Sequence, residues 1–340
     1  MKTQRSLLAL TILGLAHTLI SPPPAAADEI EKRVIRFAIC VPSEHPLAHG
    51  ARKLSEVAAA RSDGKLNVKV YDNCTLGSDS QTIAALRGGT LQMAGPSTTP
   101  IATIAKELGM FDLPYVFATS AEADTVLDGP VGTALLDKLP EKSLIGLAYL
   151  ENGFRNTTNS RRPINTADDY KGLKIRVQQN AVFIDTFNTL GANAVPLPQT
   201  EVYTALETGA IDAYEGAVVN ILTFKFQEIQ KHLTLDRHAY TPFVILVAKK
   251  LWDDLSPQEQ AILREAAIEA RDHQRKVSRE MEKTAVDELK RDGMEVTELP
   301  AAEVEKMRER VRPVIQKHKQ EIGAEFVDAM YAAVAKVRGQ

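Results

Sequence analysis

Beyond its first residues the sequence has no long apolar run, only two cysteines, one tryptophan and no excess of basic charge. Each absence removes a class of protein. Without a later stretch of roughly 20 apolar residues, the body of the chain offers no candidate membrane span. A formal net charge of -3 argues against nucleic acid, whose phosphates require a basic face. No Gly-x-Ser-x-Gly elbow, phosphate-binding glycine loop or metal-spaced histidine cluster is present. His45 and His49 have i, i+4 spacing, but no third ligand lies nearby in sequence. The carboxylates Glu201, Asp212 and Glu215 are better explained as helix and loop supports than as an acid–base pair. The expectation is a protein with no metal, no cofactor and no enzymatic turnover.

The N-terminus sets the compartment. Lys2 and Arg5 precede an apolar run from Leu7 to Ile20, followed by three prolines and Ala25-Ala26-Ala27. Basic, apolar and small-residue segments in that order are the pattern of a secretory signal peptide, and the run is too short to span a bilayer. Residues 1–27 are therefore expected to be removed, leaving a periplasmic chain that begins at Asp28. Losing Lys2 and Arg5 makes that chain more acidic still. In an oxidising compartment Cys40 and Cys74, at the ends of two strand-like runs, are candidates for one disulfide; two free buried thiols are the alternative.

Strand-like and helix-like segments then alternate. Val34–Ile39 reads as a buried strand, Pro46–Arg61 as a helix, Leu66–Tyr71 as a strand, and Ser80–Arg87 as a helix stopped by Gly88-Gly89. Leu91–Ala94 is a short apolar strand. Further strands are expected at Ile145–Leu150, Lys174–Val177 and Val244–Ala248. This order predicts an α/β fold with a mostly parallel sheet flanked by helices. Ser256-Pro257-Gln258-Glu259 is a capping box with proline at the first helical position. An apolar face then continues to a stop at Gly293. So long a helix is expected to run as a strut along two lobes.

Several motifs, in order, carry a resemblance. They are His45-Pro46, Leu76-Gly77-Ser78-Asp79, Ala85–Thr90, Phe111–Phe117, Glu151–Arg155, Asp168–Val177, Thr200–Leu206 and Thr208–Asp212. From Ile35 to about Gly293 the chain resembles the extracytoplasmic solute-binding proteins of TRAP transporters, the DctP type. The resemblance implies a two-lobed periplasmic binding fold with mixed sheets flanked by helices. It also implies capture of a small organic acid and delivery to TRAP permease subunits in the membrane. The expected first lobe is residues 28–152 and 242–281, and the second is 153–241 and 282–340. Gly216 stands where relatives often carry an asparagine, and Gln199 where many carry an aromatic residue.

The resemblance puts Arg176 at the centre, holding the ligand carboxylate. The chemistry is apt, because a guanidinium is always charged and its planar fork matches both carboxylate oxygens. Arg155, Gln179, Ser97, Gln199, Glu215, Tyr214, His45 and His238 complete the candidate ligand set. Arg155 could equally be a structural ion pair, Glu215 a holder of backbone N–H groups, His45 a helix cap and His238 a packed core histidine. Gln178 and Gln179 follow the Arg176 strand, where loops of such folds face the crevice. The glutamines favour a hydroxylated ligand, a sugar acid such as a uronate or aldonate. A C4-dicarboxylate or keto acid, or service as a ligand sensor for a signalling kinase, are the alternatives.

Overall fold

The computed structural model describes residues 30–339. The expected signal peptide and its cleavage point lie outside the described residues. The strands are β1 (Arg33–Ala38), β2 (Leu66–Tyr71), β3 (Met93–Ala94), β4 (Leu144–Asn159), β5 (Lys174–Val177), β6 (Asn193–Pro196), β7 (Ala213–Ala217), β8 (His232–Ala248) and β9 (Glu295–Glu298). The helices are α1 (Pro46–Arg61), α2 (Asp79–Arg87), α3 (Thr98–Ile101), α4 (Ser120–Leu127), α5 (Pro130–Leu136), α6 (Ala181–Thr189), α7 (Gln199–Glu207), α8 (Val218–Thr223), α9 (Lys249–Asp254), α10 (Pro257–Arg291), α11 (Ala301–Ile322) and α12 (Ala324–Arg338). No described helix is long and apolar enough to cross a membrane.

The strands form one mixed sheet in the order β2-β1-β3-β8-β4-β7-β5-β6, with β9 paired to β8. Its two ends are parallel, as the alternating β-α order leads one to expect. Its centre is not. β4 and β8 are antiparallel to each other and to the neighbours that join them, β7 and β3 respectively. They span 16 and 17 residues, far beyond the apolar cores Ile145–Leu150 and Val244–Ala248. One half of this ribbon carries β3, β1 and β2, and the other carries β7, β5, β6 and β9. The pairing slips between Glu151 and Gly153, where Gly153 adopts φ 105°, a conformation that needs glycine.

Alternation along the strands sorts side chains to two faces. In β8, Val244 and Leu246 enter a core shared with α4, α5, α6, α11 and α12. Phe243, Ile245 and Val247 enter a second core beneath α1 and the first half of α10. The second half of α10 covers a third core with α7 and α8, through Ala285 and Leu289. The helix therefore runs unbroken from its Ser256 cap across both halves of the sheet, through His273. α12 packs on α4 and α5, where Arg338 pairs with Glu122 at 2.8 Å. An apolar face through Val327, Met330 and Val334 draws it there. Cys40 and Cys74 are joined by a disulfide.

Candidate functional site

The two halves meet at a cavity of about 600 Å³, its mouth included. Its walls come from the ends of β3 and β5, from β7, and from the starts of α2, α7 and α8, where loops leave the sheet. Ser97, Arg155, Arg176, Gln179, Gln199 and Tyr214 all line it. These residues are far apart in sequence, and the central ribbon brings them together.

Arg176 is the third residue of β5, with Ile175 and Val177 buried in the first core on the opposite side of the strand. Arg176 is 4 % exposed. Its Nε donates to the carbonyl of Leu197 at 2.9 Å, and its carbon lies 5.6 Å from the centre of the Tyr214 ring, on the adjoining strand. Neither Nη atom has a hydrogen-bond partner among the described residues. Burial lowers the arginine's pKa, only partly offset by nearby Tyr214 and Glu215.

Arg155, on β4, is also sealed from solvent, but its charge is matched. Its Nε and one Nη grip the Glu215 carboxylate at 2.5 and 2.9 Å, and the same Nη donates to the Glu215 carbonyl. Burial alone would lower the Arg155 pKa; Glu215 more than reverses it, and the net shift is upward. The Gln178 amide is oriented so that its oxygen accepts from both Nη atoms of Arg155, at 3.1 and 2.8 Å. Its nitrogen donates to Ser97 Oγ at 2.8 Å. Gln178, outside the candidate set, is thus the link from Arg155 to the opposite wall.

Three candidates sit behind the wall and do not line the cavity. Glu215 is fully buried beneath Arg155, and its other neighbour is His238 Nε2 at 3.3 Å. Burial would raise its pKa, but Arg155 and His238 drive it down to about 2. His238 is held from the far side by Asp236, whose Oδ2 also accepts from Thr157 at 2.8 Å and from Tyr170. Burial opposes the charged ring, yet Asp236 and Glu215 raise its pKa to about 9. His238 is therefore a buried, paired cation. His45 has both ring nitrogens committed. Nδ1 accepts the Leu47 N–H at 3.0 Å, capping α1, and Nε2 donates to Asn220 Oδ1 at 2.8 Å. Burial depresses its pKa to about 4, so the ring is neutral.

Residues outside the candidate set complete the site. Asn220 donates on to Asn152 Oδ1 at 3.0 Å, which ties α8 to the centre of β4. Asp79, the first residue of α2, lines the cavity. Its only sequence signal was its place in the Leu76-Gly77-Ser78-Asp79 motif. Gly216 also acquires a reason. A Cβ there would lie 2.3 Å from the Tyr214 hydroxyl, so Tyr214 fills the space that an asparagine would need. Gln199 points a buried Nε2 that no described residue accepts.

Residues 37–321 match the family described as bacterial extracellular solute-binding protein, family 7, the DctP family. This chain belongs to that family. Its solved relatives include the sugar acid binding protein DctPAm of Advenella mimigardefordensis in complex with galactonate. That structure is 46 % identical with a TM-score of 0.89, covering 90 % of this chain and 99 % of the other. The 2,3-diketo-L-gulonate-binding periplasmic protein YiaO of Escherichia coli is 36 % identical over 87 % of this chain and 88 % of its own length. The C4-dicarboxylate-binding periplasmic protein DctP of Rhodobacter capsulatus is 35 % identical over 98 % of this chain and 99 % of its own. The DctP relatives are binding components of transport systems, not enzymes, and the two-lobed α/β architecture is theirs.

Proposed function

We propose that this chain is the periplasmic capture component of a TRAP transporter. Its ligand is a sugar acid, with an aldonate or uronate favoured over a C4-dicarboxylate or keto acid. The observation that carries this reading is the contrast in pairing at the cavity. Arg176 presents two unpartnered Nη atoms, whereas Arg155 is already neutralised by Glu215. A buried cation without a counter-ion is costly, and a ligand carboxylate supplies the missing partner. The Tyr214 ring lies beside the fork, and Gln199 Nε2 is a free donor for a ligand oxygen.

In this reading the halves of the central ribbon belong to separate lobes, parted near Gly153 and Thr241, which face each other at the bulge. Contacts across the cleft, such as Ser80 Oγ to Gln179 Oε1 at 3.2 Å and Asn180 to Asp112 at 3.0 Å, hold the closed arrangement. Ligand drives closure by binding the closed form better than the open one. The closed form then docks on the TRAP permease in the membrane. A thermal-shift screen against aldonates, uronates, keto acids and succinate tests this directly. A rise with an aldonate or uronate is expected. A rise with succinate alone would keep the capture role and overturn the ligand class.

A further inference from the structure

We propose that Asp79 reads the far end of the ligand, accepting hydrogen bonds from the hydroxyls of a sugar monoacid and repelling a second carboxylate. The proposal rests on the capture reading above and narrows it to one charge class.

The geometry begins with how Asp79 is held. Its Oδ2 accepts the Ser97 backbone N–H at 3.0 Å and the Ser97 hydroxyl at 3.4 Å. Because Gln178 donates to Ser97 Oγ, the hydroxyl hydrogen is free to point at Asp79. Oδ1 makes no hydrogen bond with any described residue, and the side chain is partly exposed where it lines the cavity. Asp79 and Arg176 attract each other across this space, yet form no ion pair. The carboxylate is thus fixed by one oxygen and offers the other.

A count of charges gives the consequence. Arg155 is neutralised by Glu215, so Arg176 is the one lining cation without a carboxylate partner, and Asp79 is the one lining carboxylate without a cation partner. A monocarboxylate completes Arg176 and leaves Asp79 as an acceptor. A dicarboxylate brings a second negative charge with no cation to receive it. Burial raises the Asp79 pKa to about 6, which leaves it ionised and accepting at neutral pH. Hydroxyl groups suit such an oxygen because each can donate.

The test compares ligand pairs that differ only at the far carbon, a primary alcohol against a carboxylate. Galactonate with galactarate and gluconate with glucarate are such pairs. Calorimetric titration of the full mature protein at pH 7.5 should show the aldonate favoured over its aldarate on the order of 100-fold. That is the repulsion of two carboxylates about 6 Å apart in a protein-like dielectric. Asp79→Asn should close most of that gap by gaining aldarate affinity, and Asp79→Ser serves if the amide variant folds poorly. Equal affinity of the wild type for both members of a pair would overturn the proposal without any variant. So would an unchanged ratio in a folded Asp79 variant. If no acid in the panel binds the wild type, it is the capture reading that fails.

Discussion

Arg155 and Arg176 are one residue type on two strands of one half-sheet, both buried against the same cavity, and their surroundings treat them in opposite ways. Behind Arg155 lies a fully assembled stack of Glu215, His238, Asp236, Tyr170 and Thr157, each held by the next. Around Arg176 there is a backbone carbonyl and a tyrosine face, but no described carboxylate within hydrogen-bonding distance. Burial acts on both guanidiniums; only at Arg155 does a counter-ion outweigh it. The comparison teaches that a buried arginine near a cavity is not by itself a ligand residue. What counts is whether the protein has already supplied its partner.

The largest expected effect separates the two by stability. Arg155→Ala leaves the buried Glu215 carboxylate with only the His238 ring as counter-ion and should cost about 3–5 kcal/mol, a loss read from urea unfolding. Arg176→Ala removes a charge that has no counter-ion, so its cost should stay within about 1 kcal/mol. Equal losses would erase the distinction. The next effect sharpens it by pH. Glu215 has its folded pKa depressed to about 2, below the roughly 4.3 of an unfolded chain, so its stabilisation is present above that value and fades as pH falls toward 2. His238 has its folded pKa raised to about 9, so its contribution is complete below about 6.5 and fades as pH rises through 9. Glu215→Gln should flatten the acid limb of the unfolding profile, and His238→Gln the alkaline limb. Arg176→Ala should leave both limbs in place. The smallest effect concerns the free donor at Gln199. Gln199→Leu should weaken a hydroxylated acid by about tenfold in titration calorimetry, the worth of one hydrogen bond, while the melting temperature of the unliganded protein barely moves.

The same contrast explains what the sequence made legible. Helices with strong punctuation were readable: Pro46–Arg61 to the residue from its proline and apolar spacing, and the start of α10 from the Ser256 capping box. Strands buried on both faces, such as β8 near Val244, announced themselves as apolar runs. The polar halves of β4 and β8 did not. Asn152–Asn159 is buried but carries amides, threonines and an arginine, because it passes through the cleft and supplies its buried network. With no apolar alternation to follow, the residues alone did not locate the antiparallel ribbon, and mixed sheets were implied only by the resemblance. For the site, motif and loop position singled out Arg155, Arg176, Gln179, Ser97, Gln199 and Tyr214, and these line the cavity. Glu215, His238 and His45 lie one layer behind its wall. Depth behind a wall depends on which side chain an element packs against, and no local pattern carries that information.

The most direct measurement is a calorimetric titration of galactonate, or of whichever acid gives the largest thermal shift, into the wild type, Arg176→Ala and Arg176→Lys. The account predicts that both variants fold and melt close to the wild type. Arg176→Ala should lose at least about 100-fold in affinity, and Arg176→Lys should recover only part of it, because a point charge cannot reproduce the bidentate fork. An Arg176→Ala protein that folds and binds with wild-type affinity would contradict it.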